Sequence, residues 1–511
     1  MKRIFIPAEG TIAEILVKTF SEHPKETFSY DKMIGTTTRK QFLLKAMVVS
    51  KIIKQEVDDK YVGIMLPALQ STTLLVAATY LAGKIPVMLN WTVGPKLIEH
   101  CVESVGVKKI LTAKSFADKV ADQLPESVKQ KCVFFEEKVK TLSTTTKLKG
   151  LFAYFTKSLP KTKSTDVAVV LFTSGSESLP KAVKLTHKNV LTNLHGAFSH
   201  ISLNTDVVML SFLPPFHSFG FTVCTILPLT TAVKTAYTPD PTNGREVLKI
   251  LNHTNANTLL GTPTFLKLLL AVAQNNELKN VRLVISGAES LQQVIAEQFK
   301  LKASPELKML EGYGITECSP VLTLNPLEKQ KVGSVGTFVK GVDFLITTID
   351  TYTPVAVGSE GMILVRGGNI FSGYEDKNLA SPFVTVNGIE YYKTGDLGYV
   401  DTEGYLFITG RLKRFIKIAG EMISLPAIEN VLLNKYGKSD SLVLAVEGKD
   451  TIEVPQIVLF SVTQIEVNEA NEALKQAGFS SLVKIHKNII VSEIPLLGTG
   501  KTDYKVLKAM I

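Results

Sequence analysis

LFTSGSESLPKAVKLTHKNV, residues 171–190, decides how the rest of this chain is read. An apolar strand, DVAVVLFT (166–173), runs directly into a hydroxyl-rich turn, Thr173-Ser174-Gly175-Ser176-Glu177-Ser178, and Lys181 lies eight residues beyond Thr173. Hydroxyls and backbone amides in such a turn can wrap phosphate oxygens, and a lysine adds charge. A plain surface turn is the alternative. Two further stretches offer related chemistry. EGYGITECSP (311–320) carries Glu317, a carboxylate suited to Mg²⁺ whose shell phosphate oxygens complete, and Tyr313, whose ring offers a face to a base. YYKTGDLGYVDTEGYLFITGRLKRFIKIAGEMISLP (391–426) supplies Asp396, suited to paired ribose hydroxyls, and Arg411 just past a hairpin. Taken singly, these two are a turn carboxylate and a solvated arginine.

Around these stretches, short apolar runs alternate with helix-length amphipathic segments from about 60 to 320: YVGIML (61–66), IPVML (85–89), VKKILTA (107–113), NTLLGT (257–262) and RLVISGA (282–288). Strands separated by helices predict βαβ units in mostly parallel sheets. From about 333 to 410, close-spaced strands and glycine turns such as MILVRGG (362–368) predict an antiparallel, β-rich subdomain. The last hundred residues mix helices (LPAIENVLLNKYG, VNEANEALKQAG) with strands (SLVLAVEG, QIVLFSV). The expected fold class is α/β: a large N-terminal domain, 1–410, and a small α+β C-terminal domain, 411–511, meeting near GRLKRF (410–415).

At 511 residues, 45% hydrophobic and 20% charged, the chain can bury more than one core. MKRIFIPAEG has too short an apolar run for a signal peptide. LLVAATYLAGKIPVML (74–89), interrupted by Lys84 and Pro86, falls short of a bilayer span. Cys101, Cys132, Cys224 and Cys318 form no CxxC pair, so neither zinc nor a disulfide framework is expected, and the expected location is cytoplasmic. The net charge of +10 favours an acidic partner, although a merely basic surface is the alternative, and no nucleic-acid module is recognisable. TKLKGLFAYFTKSLPKTK (146–163) sets five lysines around Leu151, Phe152, Tyr154, Phe155 and Leu159. That pattern suits peripheral contact with an anionic membrane at its inner face. A lysine-rich linker packing its aromatics on the body is the other reading.

PLLGTGKTDY (495–504) resembles the end of a P-loop, but Pro495 stands where the first glycine belongs and only seven residues follow Tyr504. The ordered set of motifs explains it better. FTSGSESLPKA, YGITE, TGD, GRLKRFIKIAG and PLLGTGK resemble the signatures of the adenylate-forming superfamily: acyl-CoA synthetases, peptide-synthetase adenylation domains and luciferases. The likeness runs over essentially the whole chain. A narrower resemblance, carried by TSGSE, LPPFHSFG (213–220) and the two C-terminal motifs, is to the acyl-acyl carrier protein synthetases joined in some proteins to a 2-acylglycerophosphoethanolamine acyltransferase. None of the eight histidines has an aspartate five residues on, so the acyltransferase H-x-x-x-x-D activity is not expected.

The resemblance implies ATP and Mg²⁺ as cofactors, a fatty acid as substrate, and acyl carrier protein (acidic) or coenzyme A as thiol acceptor. It implies that Thr173, Ser174, Gly175, Ser176 and Lys181 hold the β- and γ-phosphates, and that Thr316 and Glu317 serve phosphate and metal. Tyr313 and the backbone of Ser286, Gly287 and Ala288 would meet the adenine, and Asp396 and Arg411 the ribose. His217 would border the acyl pocket, with a packed core histidine as the alternative, and Gly420 would line the thiol tunnel. Lys501 would swing in on a mobile C-terminal lid to assist adenylation, with Arg414 as the hinge. Two family glycines are replaced by Ser178 and Ala182, which restricts the backbone and predicts slower adenylation. A coenzyme A ligase and a non-catalytic acyl or nucleotide binding module are the competing readings.

Overall fold

Two sheets built on parallel strands carry the body of the protein. In a computed structural model that describes residues 4–511, apart from 174–178, 202, 275, 377–378, 419–420, 438–442, 450–454, 481–482 and 498–500, the larger sheet has nine strands. Its parallel run is Lys308–Gly314, Leu283–Gly287, Thr258–Gly261, Val208–Ser211, Lys234–Tyr237 and Thr27–Asp31, in that spatial order. Antiparallel edges close it at Val321–Leu324 and Thr337–Phe338 on one side and Gly35–Thr38 on the other. The second sheet orders Cys132–Phe134, Ile110–Thr112, Tyr61–Ile64, Ile85–Met88, Val167–Phe172 and Ala182–Thr186, only the last being antiparallel. The central strands are apolar without alternation because both faces are covered, as in Thr258–Gly261, where every residue is buried.

The β-rich part follows as an antiparallel sheet of Val342–Thr347, Gly361–Gly367, Phe383–Val386, Ile389–Val400 and Leu406–Arg411. It begins later than the sequence pattern predicts. Thr337–Phe338 belongs to the nine-stranded sheet because Gly336, at φ +86°, turns the chain back against Leu324 and Asn325. A Cβ at Gly336 would lie 2.1 Å from the Asn325 nitrogen, so only glycine makes this turn.

The smaller C-terminal domain has its own cores. Ile416, Ile428, Leu432, Leu444, Leu459 and Leu474 form one, and Phe460, Ile494 and Leu507 belong to another on the opposite face of its three-stranded sheet, Leu444–Lys449, Gln456–Ser461 and Ile485–Ile490. The stretch 74–89 is a buried helix, Gln70–Leu81, followed by the strand Ile85–Met88. Among the described residues no helix is long and apolar enough to cross a membrane. All four cysteines are free, and no group of three or more metal-ligating side chains occurs among the described residues.

Candidate active site

Ligands of open α/β sheets bind beyond the carboxyl ends of the parallel strands. Three such ends converge here: Ser286-Gly287-Ala288, Tyr313-Gly314, and Thr173 at the end of Val167–Phe172. Gly314 is forced by packing, since a Cβ would sit 2.0 Å from the Pro320 carbonyl oxygen.

Thr173 and Lys181 close the base of the hydroxyl-rich loop. The Thr173 N–H donates to the Lys181 carbonyl at 3.0 Å, and the Lys181 N–H donates to Thr173 Oγ1 at 3.1 Å. Ser174, Gly175, Ser176 and Ser178 lie outside the described residues, as does Gly420. The loop is a β-hairpin connection, with Ala182 in regular strand pairing opposite Phe172. Ala182 thus adopts ordinary strand geometry, which needs no glycine. The Lys181 ammonium lies 4.8 Å above the Tyr374 ring, and the Tyr374 hydroxyl donates to Glu317 Oε1 at 2.5 Å. Glu317 itself is only 8% exposed. Thr316 donates to the Ser218 hydroxyl at 3.2 Å, next to His217.

Asp396 and Arg411 face each other as a cross-strand pair, their register set by the DTEG turn at 401–404. Arg411 Nε lies 3.1 Å from Asp396 Oδ1, while the Tyr313 hydroxyl donates to Oδ2 at 2.5 Å. Asp396 raises the affinity of Arg411 for its proton, and burial with the neighbouring Asp396 charge raises the Tyr313 phenol. The predicted ribose and adenine residues are therefore one connected unit.

Lys501 reaches this unit from the C-terminal domain. Its ammonium is electrostatically coupled to Glu289, Arg411 and Asp396, and burial lowers its pKa with Arg411 adding to the effect and the two carboxylates opposing it. The loop presenting it is held by Leu497 N–H to Lys501 O at 2.7 Å and by pairing of Leu496 with Thr502. Glu289 accepts from the Thr264 hydroxyl and N–H at 2.8 and 3.2 Å, whereas its Oε1 is buried without a hydrogen-bond partner among the described residues. Burial raises its pKa, against the pull of Thr264 and Lys501.

An apolar cavity opens from these groups. His217, Ser286, Gly287, Ala288 and Tyr313 line it together with Phe198, Leu260 and Ile285. Burial, and secondarily the Lys501 charge, push the His217 pKa down to about 3. The Phe219 N–H donates to its Nδ1 at 3.4 Å, which puts the proton of the neutral ring on Nε2. Phe198, Leu260 and Ile285 also border a second, much smaller apolar void. Ser286 Oγ is buried with no hydrogen-bond partner among the described residues.

A model of the AMP-binding enzymes matches residues 18–375. The chain belongs to the AMP-binding enzyme family. This AMP-binding enzyme is 28% identical over 468 residues to 4-coumarate–CoA ligase 1 of Solanum tuberosum, covering 85% of the chain and 81% of the relative. It is 28% identical over 528 residues to 4-coumarate–CoA ligase 2 of Nicotiana tabacum, covering 97% and 93%. Its fold matches ATP-bound MatB from Rhodopseudomonas palustris with a TM-score of 0.82 at 22% identity, over 98% of each chain. O-succinylbenzoate coenzyme A synthetase (MenE) from Bacillus subtilis, in complex with ATP and magnesium ion, matches with a TM-score of 0.81 at 20% identity, over 97% and 99%. The two plant relatives are named as coenzyme A ligases and MenE as a coenzyme A synthetase; none of the four is named as an acyl-acyl carrier protein synthetase.

Of the residues singled out in the sequence of this AMP-binding enzyme, Lys181, Glu317, Tyr313, Asp396, Arg411, Lys501, His217 and 286–288 are brought to one region. Arg414 lies apart from it: its guanidinium contacts Glu429 at 3.3 Å and the Val446 carbonyl at 2.7 Å, and stacks 3.5 Å from the Tyr504 ring centroid. Glu289, Tyr374, Ser218 and Thr264 were not foreseen. Glu289 and Ser218 had a signal, their places directly after 286–288 and His217.

Proposed function

We propose that this enzyme uses ATP to activate a fatty acid as its adenylate and then passes the acyl group to a thiol. The observation that carries the reading is Lys501, delivered by the C-terminal domain to Asp396, Arg411 and Glu289 at the rim of an apolar cavity. In the first step a carboxylate oxygen bonds to the α-phosphorus of ATP and the bond to pyrophosphate breaks. Lys501 and Lys181 would offset the charge that grows on the phosphate oxygens. Asp396 and Arg411 would hold the ribose, and Tyr313 would position the base. His217, neutral and carrying its proton on Nε2, would donate to the acid's oxygen without adding charge to the cavity. In the second step the sulfur of a thiolate attacks the acyl carbon, and AMP leaves with the bonding electron pair.

Glu317 fits a magnesium ion held chiefly by phosphate. It is a single buried carboxylate with one oxygen taken by Tyr374, and such an ion keeps waters and phosphates instead of an all-protein cage. When bound, the ion would neutralise phosphate charge. The apolar lining of the first cavity, with Phe198, Val223, Leu260 and Ile285, supports an apolar acyl group. The relatives' names favour coenzyme A as acceptor. The net charge of +10 favours an acidic acyl carrier protein, which the sequence resemblance also implies.

The test is ATP–pyrophosphate exchange with Mg²⁺ across fatty acids of increasing length, followed by thioester formation with coenzyme A and with acyl carrier protein in parallel. Exchange that requires the acid supports adenylation. No exchange from folded protein at any length would overturn it in favour of a binding module.

A further inference from the structure

The helix Thr144–Thr156 is mounted the wrong way round for a soluble protein. Its small residues face inward: Thr146, Gly150 and Ala153 are buried, and the helix lies on Arg39–Glu56 so closely that a Cβ at Gly150 would sit 2.7 Å from the Val48 Cα. Gln55 Nε2 donates to Thr146 Oγ1 at 3.3 Å across the same contact. Its bulky residues face outward. Leu148, Phe152 and Phe155, spaced to share one helical face, are 59%, 70% and 73% exposed. Leu151 and Leu159 extend the patch. An amphipathic helix normally buries this face.

The charge around it is one-sided. From Lys138 to Thr165 the chain has seven lysines and no acidic residue. Lys147, Lys149, Lys157, Lys161 and Lys163 are exposed, and among the described residues none of them is in an ion pair. A shallow groove beside Leu148 and Phe152 runs between Lys51 and Lys149. Thus Tyr154 packs on the body while Phe152 and Phe155 do not, and among the described residues the five lysines have no ion-pair partner.

We propose that this face docks the enzyme on an anionic lipid surface, with Leu148, Phe152 and Phe155 entering the headgroup–acyl boundary and the surrounding lysines meeting lipid phosphates. An amphipathic helix lying in the interface works in this way, and the flanking lysines supply the lipid selectivity. The helix stands apart from the cavity and the catalytic groups, so the proposal holds or fails independently of the reaction assigned above.

Flotation of the full chain with vesicles of phosphatidylcholine alone, and of phosphatidylcholine mixed equally with phosphatidylglycerol, tests it. The wild-type chain should float with the anionic vesicles and stay behind with the neutral ones, and high salt should weaken its binding. F152S/F155S should bind at least about tenfold more weakly through lost apolar burial. K147Q/K149Q should lose about fivefold per lysine. Because these side chains are exposed, both variants should keep the wild-type melting temperature and lipid-free activity. Anionic vesicle binding that survives undiminished in F152S/F155S would overturn the proposal. So would failure to bind either vesicle while an acidic carrier protein is held through Phe152 and Phe155, an outcome that would assign the face to a protein partner.

Discussion

Replacing Lys501 by alanine removes the ammonium from a cluster in which Glu289 and Asp396 carry the negative charge and Arg411 the remaining positive charge. The substitution turns a roughly balanced group into one with an excess of about one negative charge, at the place the phosphates must occupy. A unit charge about 5 Å away, at an effective dielectric of ~20, is worth about 3 kcal/mol. That agrees with the ~10²–10³ loss typical of one transition-state donor. ATP–pyrophosphate exchange by Lys501→Ala should therefore fall by about that factor. Transfer from a supplied acyl-adenylate to the thiol, which needs no pyrophosphate departure, should change only a few-fold. Thermal stability should shift by no more than about 0.5 kcal/mol, because the side chain is half-buried on a loop held by backbone hydrogen bonds. Burial lowers the Lys501 pKa, so the ammonium is lost earlier on the alkaline side than for a free lysine. Exchange should decline along that limb in the wild type, and the limb should be absent in Lys501→Ala. Wild-type exchange rates in a folded Lys501→Ala would refute the reasoning.

Asp396→Asn leaves Arg411 and Tyr313 sharing a neutral group. With charged hydrogen bonds contributing about 1.5–3 kcal/mol, the KM for ATP should rise about 10–100-fold with little change for the acid, measured by exchange at varied ATP. Ile285→Phe should fill part of the apolar cavity. kcat/KM should then fall about fourfold for each methylene that no longer fits, leaving short acids unaffected in a chain-length series. Burial pushes Glu311 up to about 7, so its folded-state pKa lies above its unfolded one. Its ionisation then weakens the fold as pH rises from about 4.5 towards 7. Glu311→Gln, which still accepts from the Leu291 N–H, should gain up to ~3 kcal/mol at pH ~8 and nothing below pH ~4.5, read from denaturant melts at both pH values.

What the sequence disclosed about this molecule depended on how local each determinant is. The Asp396–Arg411 pair was legible because a four-residue turn and two strands fix it within fifteen positions. The buried parallel strands were legible because a run without alternation has one physical cause, coverage on both faces. Glu289 and Tyr374 were not. Each is an ordinary surface-type residue until folding brings Lys501 or Glu317 to it from far along the chain. The orientation of Thr144–Thr156 was left open between two readings for the same reason. Its pattern allowed Phe152 and Phe155 to face either way, and the fit of Gly150 on Val48, with Ala153 buried beside it, turns them outward. The later start of the β-rich sheet turned on the close approach of Gly336 to Asn325, which no periodicity encodes.

The grip on Arg414 has a mechanical consequence. Its guanidinium is clasped by Glu429, Val446 and Tyr504, all in the C-terminal domain, and Tyr504 donates to Glu429 at 2.6 Å only three residues after Lys501. If Arg414 is the pivot that the resemblance implies, pivot and lysine would move as parts of one domain. A turn about the segment at 412–414 would then withdraw Lys501 as it brought other residues of the domain forward. Such a linkage would act as an interlock, imposing the order of the two proposed half-reactions by geometry and not by the relative affinities of the substrates.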